Sequence, residues 1–229
     1  MWLATSNMRR HLHRFIILSL VLFSSVVLYA ATWEESITIA GVGGDDGNNI
    51  NGAWTGTVVF VGDDGGAKYD MGMRWVGVDV PQNATISEAT IKMIARNLVG
   101  TITNVHGKVS AHEGDAPAFS DGVFDPNTGF DPAEADSGGV DFDPASFSAD
   151  VTVYTLDVIN QVQEVVNGTW TTGDDMAFRV TDDGSSADSY LRVNAHEDGA
   201  PFSPVLKIVY TEGGAPAAVP RLLLLGVGN

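Results

Sequence analysis

The sequence predicts an all-β protein, an antiparallel β-sandwich with one short helix. Three observations predict it. Short β-rich runs recur between Gly and Asp punctuation along most of the chain. Several runs alternate with period two, setting Ile91, Met93 and Ala95 against Lys92 and Arg96, and Leu206, Ile208 and Tyr210 against Lys207 and Val209. Strands of that kind have one buried and one wet face, as antiparallel sheets do. A single segment, 157–168, switches to helical spacing, with Val158, Ile159, Val162, Val165 and Val166 on one stripe.

Taken in order, residues 1–30 read as a signal peptide. They contain no acidic side chain and open with Arg9, Arg10 and Arg14. An apolar run follows over 15–28, and Leu28-Tyr29-Ala30-Ala31 supplies small residues for cleavage after Ala30. The run is shorter than the ~20 residues that span a bilayer, so no transmembrane span is expected after cleavage. The expected location is extracellular or at the cell surface. Residues 31–212 form the expected sandwich, with strands at 36–40, 56–61, 73–80, 88–98, 102–111, 151–156, 176–180, 189–195 and 205–210. Asp157 suits the helix N-cap and Asn167-Gly168 its stop. A long loop at 121–150 carries turns at Asp125-Pro126, Asp131-Pro132 and Asp143-Pro144. Phe119, Phe124, Phe130, Phe142 and Phe147 are expected to pin it to the body. Residues 213–229 form a Gly/Pro linker and an apolar tail containing Leu222, Leu223, Leu224 and Leu225.

Composition narrows the partners. The whole chain carries a net charge of −17. Three of its 12 basic residues lie in the leader, leaving nine against 29 acidic residues and a net −20. Such a chain repels phosphate backbones, which argues against nucleic acid, and attracts cations. Asp outnumbers Glu by 21 to 8, mostly beside Gly, Asn or Ser, as in turns and hard-cation sites. There is no cysteine, so neither disulfides nor thiol chemistry is available, and stability must come from the core, a metal or assembly.

Calcium is the expected cofactor, held by Asp45, Asp46 and Asn48, by Asp63 and Asp64, and by Asp182 and Asp183 on flexible turns. No cluster matches a twelve-residue EF-hand, so several loops would share the ion. A local repeat pairs Val109-Ser110-Ala111-His112-Glu113-Gly114-Asp115-Ala116-Pro117 with Val193-Asn194-Ala195-His196-Glu197-Asp198-Gly199-Ala200-Pro201. If the two copies sit at neighbouring strand ends, His112, Glu113, His196 and Glu197 form a ligand-binding group; the plainer alternative ties each His to a loop carbonyl. Trp54, in a Gly-rich loop, is the best candidate for an exposed sugar-stacking ring. No Gly-x-Ser-x-Gly elbow, P-loop or His-Glu-x-x-His is present.

Met71-Gly72-Met73-Arg74-Trp75, together with Val80-Pro81-Gln82-Asn83-Ala84-Thr85-Ile86-Ser87-Glu88-Ala89-Thr90-Ile91, resembles the core of DNRLRE-type modules. Residues 158–170 resemble their helix followed by Asn-Gly and Trp, and 190–210 resemble their closing strand pair. The likeness covers roughly 36–211. It implies a jelly-roll sandwich of carbohydrate-binding-module type, secreted and without catalysis of its own. Ala195-His196-Glu197 stands where many such modules carry Ser-Arg-Glu, so a ligand role of that Arg does not transfer. The expected function is a non-enzymatic extracellular structural or adhesive subunit, calcium-stabilised and self-assembling through Leu222, Leu223, Leu224 and Leu225. A homo-oligomer or polymer is the expected state. A carbohydrate-binding, lectin-like module is the alternative, with a glycan as partner, and a hydrolase the third reading.

Overall fold

The structure is a computed structural model and describes residues 30–36, 44–56, 59–96, 104–133, 138–144, 152–199 and 201–212. Residues 1–29, on which the expected signal peptide falls, residues 213–229 and Phe147 lie outside the described residues. Among the described residues, twelve strands and one α-helix run in the order β1 (Ala30–Ser36), β2 (Asp46–Ile50), β3 (Ala53–Thr55), β4 (Val59–Asp63), β5 (Lys68–Trp75), β6 (Thr85–Ile94), β7 (Gly107–Ala111), β8 (Val140–Phe142), β9 (Val153–Asp157), α1 (Ile159–Asn167), β10 (Met176–Asp182), β11 (Ser189–Val193) and β12 (Val205–Thr211). One sheet has the order β1-β12-β6-β9. The second runs β11-β4-β5-β10-β7-β8, with β2 also paired to β5 and β3 to β2. Every strand pairing is antiparallel. The expected all-β sandwich with one short helix is the observed fold.

Alternation sets the core. Ile91, Met93 and Ala95 are buried while Lys92 is exposed, and Leu206, Ile208 and Tyr210 close the same layer from β12. They face Val59, Val61, Met71, Met73, Trp75, Phe178, Val180, Leu191 and Val193 of the second sheet in one apolar cluster. A bridge between Ala95 and Val193 joins the two sheets at one corner. There the Arg96 N–H donates to the Arg192 carbonyl at 3.0 Å.

The helix packs Val158, Val162, Val165 and Val166 into the core. Asp157 begins it as expected, accepting the Ile159 N–H at 3.1 Å, although Val158 occupies the cap position. The Gly168 N–H closes the other end on the carbonyls of Glu164 and Val165. Among the described residues no helix is long and apolar enough to cross a membrane.

Strand boundaries depart from expectation where turn chemistry misleads. The run expected at 73–80 ends at Trp75, before Gly77 at φ 66°, and extends back to Lys68. Strand β1 covers Ala30–Ser36 rather than 36–40, of which 37–40 lie outside the described residues. Strands β2, β3 and β8 were not expected. The 121–150 loop therefore contains a strand, β8, paired to β7. Its Phe residues pin it as expected: Phe119, Phe124 and Phe142 are buried and Phe130 is half-buried. Trp54, Phe119, Phe124 and Phe130 stack in series with centroids 4.7, 5.1 and 5.8 Å apart. The Arg179 guanidinium caps the series over Phe130.

Candidate functional site

Strand β2 puts polar side chains where core residues belong. Asp46 pairs with Met73 and Asn48 with Met71, so both share the face that carries Met71 and Met73 into the apolar core. The alternate residues look outward. The Asn49 amide donates to the buried Asp125 carboxylate at 3.0 Å. A Cβ on Gly47 would lie 2.4 Å from the Thr55 carbonyl oxygen and 2.7 Å from the Trp54 ring, so no larger residue fits there. The stretch expected to be a calcium-binding turn is thus a buried strand, and Asp45, Asp46, Asn48 and Asn49 are all fully buried.

Inside, the polar atoms are incompletely matched. Asp46 Oδ2 accepts the His196 backbone N–H at 2.7 Å. Asp46 Oδ1, both amide atoms of Asn48 and His196 Nδ1 are buried without a hydrogen-bond partner. Each such atom costs about 1–3 kcal/mol when left unmatched. Burial pushes the Asp46 pKa up from 3.8 to about 7. The negative charges of Glu197 and Asp45 add to the rise, and the His196 N–H opposes it. Residues from two expected sets, the Asp/Asn metal set and the His–Glu repeat, therefore meet at Asp46.

Asp45 has a structural role instead. Its carboxylate and that of Asp175 both accept from the Arg74 guanidinium, whose Nε donates to the Ala116 carbonyl at 2.9 Å. Arg74 is itself buried, so one cation ties β5, the start of β2 and the loops at 116 and 175 together.

The other acidic candidates are occupied by their own turns. Asp63 accepts the Gly65 N–H, and Asp64 accepts from Gly66, Ala67 and the Tyr69 hydroxyl. These bonds, Tyr69 first, hold the Asp64 pKa below its ordinary value. Asp182 pairs with Lys68 at 2.8 Å and accepts the Ser185 N–H at 3.0 Å. Asp183 is exposed, its backbone N–H bound to the His106 carbonyl. Among the described residues no three His, Cys, Asp or Glu side chains converge to hold a metal by themselves.

The two repeat copies do not sit at neighbouring strand ends. His112 follows β7 and His196 follows β11, with β4, β5 and β10 between them in the sheet. His112 Nδ1 accepts the Asp131 N–H at 3.0 Å, and its ring lies edge-on to Phe124 and Phe130. Burial lowers its pKa, against the opposing pull of Asp131 and Glu113. Glu113 is exposed, with its carboxylate beside Gly168. Trp54 is half-buried against Phe119 rather than fully presented to solvent. Leu222, Leu223, Leu224 and Leu225 lie outside the described residues.

Sequence reasoning missed a second feature. Phe60 and Tyr190 alternate with core residues and so face away from the core. With Tyr69 they form a half-buried trio, centroids 5.2, 5.7 and 5.7 Å apart, and Arg192 lies over Phe60. The signal available was an aromatic at alternate positions of two strands whose register the sequence does not state. Compared with known proteins, the chain matches no family model and no curated protein.

Proposed function

We propose that the chain is a secreted, non-enzymatic structural or adhesive subunit that self-assembles into a surface layer, tube or filament. A bound divalent cation stabilises it; calcium is the expectation from the Asp-rich composition, and the identity of the ion is a separate question. The observation that carries the reading is a flank of the sandwich where, among the described residues, two sheets each end in a strand with no further partner. There β9, the last strand of one sheet, and β8, the last of the other, border a groove of about 470 Å³ among the described residues. Val140, Phe142, Val153, Tyr154 and Leu156 line it, and Val153 is half exposed. A free edge is a template for strand addition. The occupant proposed is the Leu222, Leu223, Leu224 and Leu225 segment of a neighbouring copy. The linker at 213–220 spans up to about 26 Å when extended, enough to reach across a contact. Val153→Lys puts a charge on this edge at an exposed position. It is expected to block polymer growth in light scattering while leaving the melting temperature within about 2 °C; unimpaired growth would remove the groove from the account.

A second reading, carbohydrate binding, is supported by the outward trio of Phe60, Tyr69 and Tyr190 more than by Trp54. Partly exposed rings beside a guanidinium offer stacking and hydrogen bonding to a sugar. Under this reading Tyr190→Ala abolishes retention on a glycan array and Trp54→Ala does not. The reverse pattern would return the site to Trp54.

A further inference from the structure

The inward face of β2 has a chemistry more specific than acidity. Asp46 Oδ1 and the Asn48 amide are fully buried, two residues apart on one face, with no protein partner. His196 Nδ1 is also buried and unpartnered, and the 2.7 Å bond from its backbone N–H to Asp46 Oδ2 holds that residue against the same carboxylate. An aspartate oxygen, an amide oxygen and an imidazole nitrogen are therefore each buried and unused, on residues linked through Asp46: Asn48 two positions along the same face of β2, and His196 through its backbone bond. We infer that Asp46, Asn48 and His196 form an internal site for a divalent first-row ion of the zinc or manganese class, in preference to calcium.

The ligand types decide the class. Calcium takes six to eight oxygens at roughly 2.3–2.6 Å, usually from several carboxylates. Of the two carboxylates that act on Asp46, Asp45 is committed to Arg74. Imidazole suits zinc and several of its first-row neighbours, and zinc is content with about four ligands, water among them. The Glu197 carboxylate acts on Asp46 as a nearby negative charge, which favours a cation at Asp46. Asn48 supplies the third ligand, in keeping with the absence of a third converging His, Asp or Glu among the described residues. This inference rests on the cation in the proposed function and names its class; it does not depend on assembly.

The test is calorimetric titration of EDTA-stripped chain 31–229 with zinc, manganese(II) and calcium chlorides. One equivalent of zinc or manganese is expected to bind about tenfold or more tightly than calcium, with zinc shifting the His196 ring-nitrogen resonances. His196→Ala keeps the backbone N–H that reaches Asp46, so the fold should persist. It is expected to weaken zinc binding at least about tenfold, the scale of a lost ligand contact, and to leave calcium binding unchanged. Three results overturn the inference: zinc affinity equal in His196→Ala, calcium as the tightest ion, or no ion bound at millimolar concentration, which leaves these atoms to water. Light scattering on the same samples reads assembly separately, so failure of the metal site and failure of the assembly reading are distinguishable.

Discussion

Stripped of divalent ions, the protein is expected to lose about 4 kcal/mol of unfolding free energy between pH 4 and pH 8, relative to Asp46→Asn. The cause is the buried Asp46 carboxyl, whose pKa is raised from 3.8 to about 7 in the fold. The direction follows from proton counting. Between these two values the folded state holds a proton that the unfolded state has released, so stability falls as pH rises. The contribution is fully present below pH ~4 and lost once pH passes ~7. A shift of about three units at ~1.4 kcal/mol each sets the magnitude. Asp46→Asn keeps the shape without a titrating proton, so it should be the more stable protein at pH 8. Other carboxylates, Asp64 among them, have lowered pKa values and weaken the fold at low pH in both proteins. The informative quantity is therefore the difference between the two urea-unfolding curves. Parallel curves across this range would show that Asp46 is ionised in the fold at little cost.

Replacing Arg74 by Met is expected to destabilise the protein by about 3–5 kcal/mol, the usual consequence of removing one partner from a buried ion pair. Arg74 is buried and bonds Asp45, Asp175 and the Ala116 carbonyl. Without the guanidinium, the fully buried Asp45 carboxylate loses the cation it is bonded to. Arg74→Lys should recover only part of the loss, because one ammonium cannot serve three acceptors in a planar fork. Asp175→Asn should cost less, because Asp175 is only half-buried and also accepts the Gly77 N–H. Chemical denaturation checks the series. A loss below about 1 kcal/mol for Arg74→Met would mean that the network adds little beyond what water supplies.

The parts of the fold legible in the sequence are those where local pattern and tertiary role agree. The period-two runs of β6 and β12 and the helical stripe of α1 each bury the residues their spacing selects. Strand β2 was illegible because Asp46-Gly47-Asn48-Asn49 carries the local chemistry of a turn. Its extended state is fixed from elsewhere, by pairing along β5 and by the Thr55 carbonyl and Trp54 ring against Gly47. The same conflict hid the buried polar group: Asp46 and Asn48 read as calcium ligands on a flexible turn, whereas the sandwich buries both and Asp46 accepts the His196 N–H. The His–Glu repeat was real as a string but not as a site, since sheet order sets His112 among Phe rings and His196 beside Asp46. The trio of Phe60, Tyr69 and Tyr190 depends on strand register, which no local signal specifies.

Assembly through the apolar tail is the central claim, and light scattering on chain 31–229 beside a chain ending at residue 219 tests it most directly. The account predicts large, ordered particles for the longer chain and a monomer of unchanged melting temperature for the shorter. Particles of equal size from both chains, or monomers from both, would contradict it.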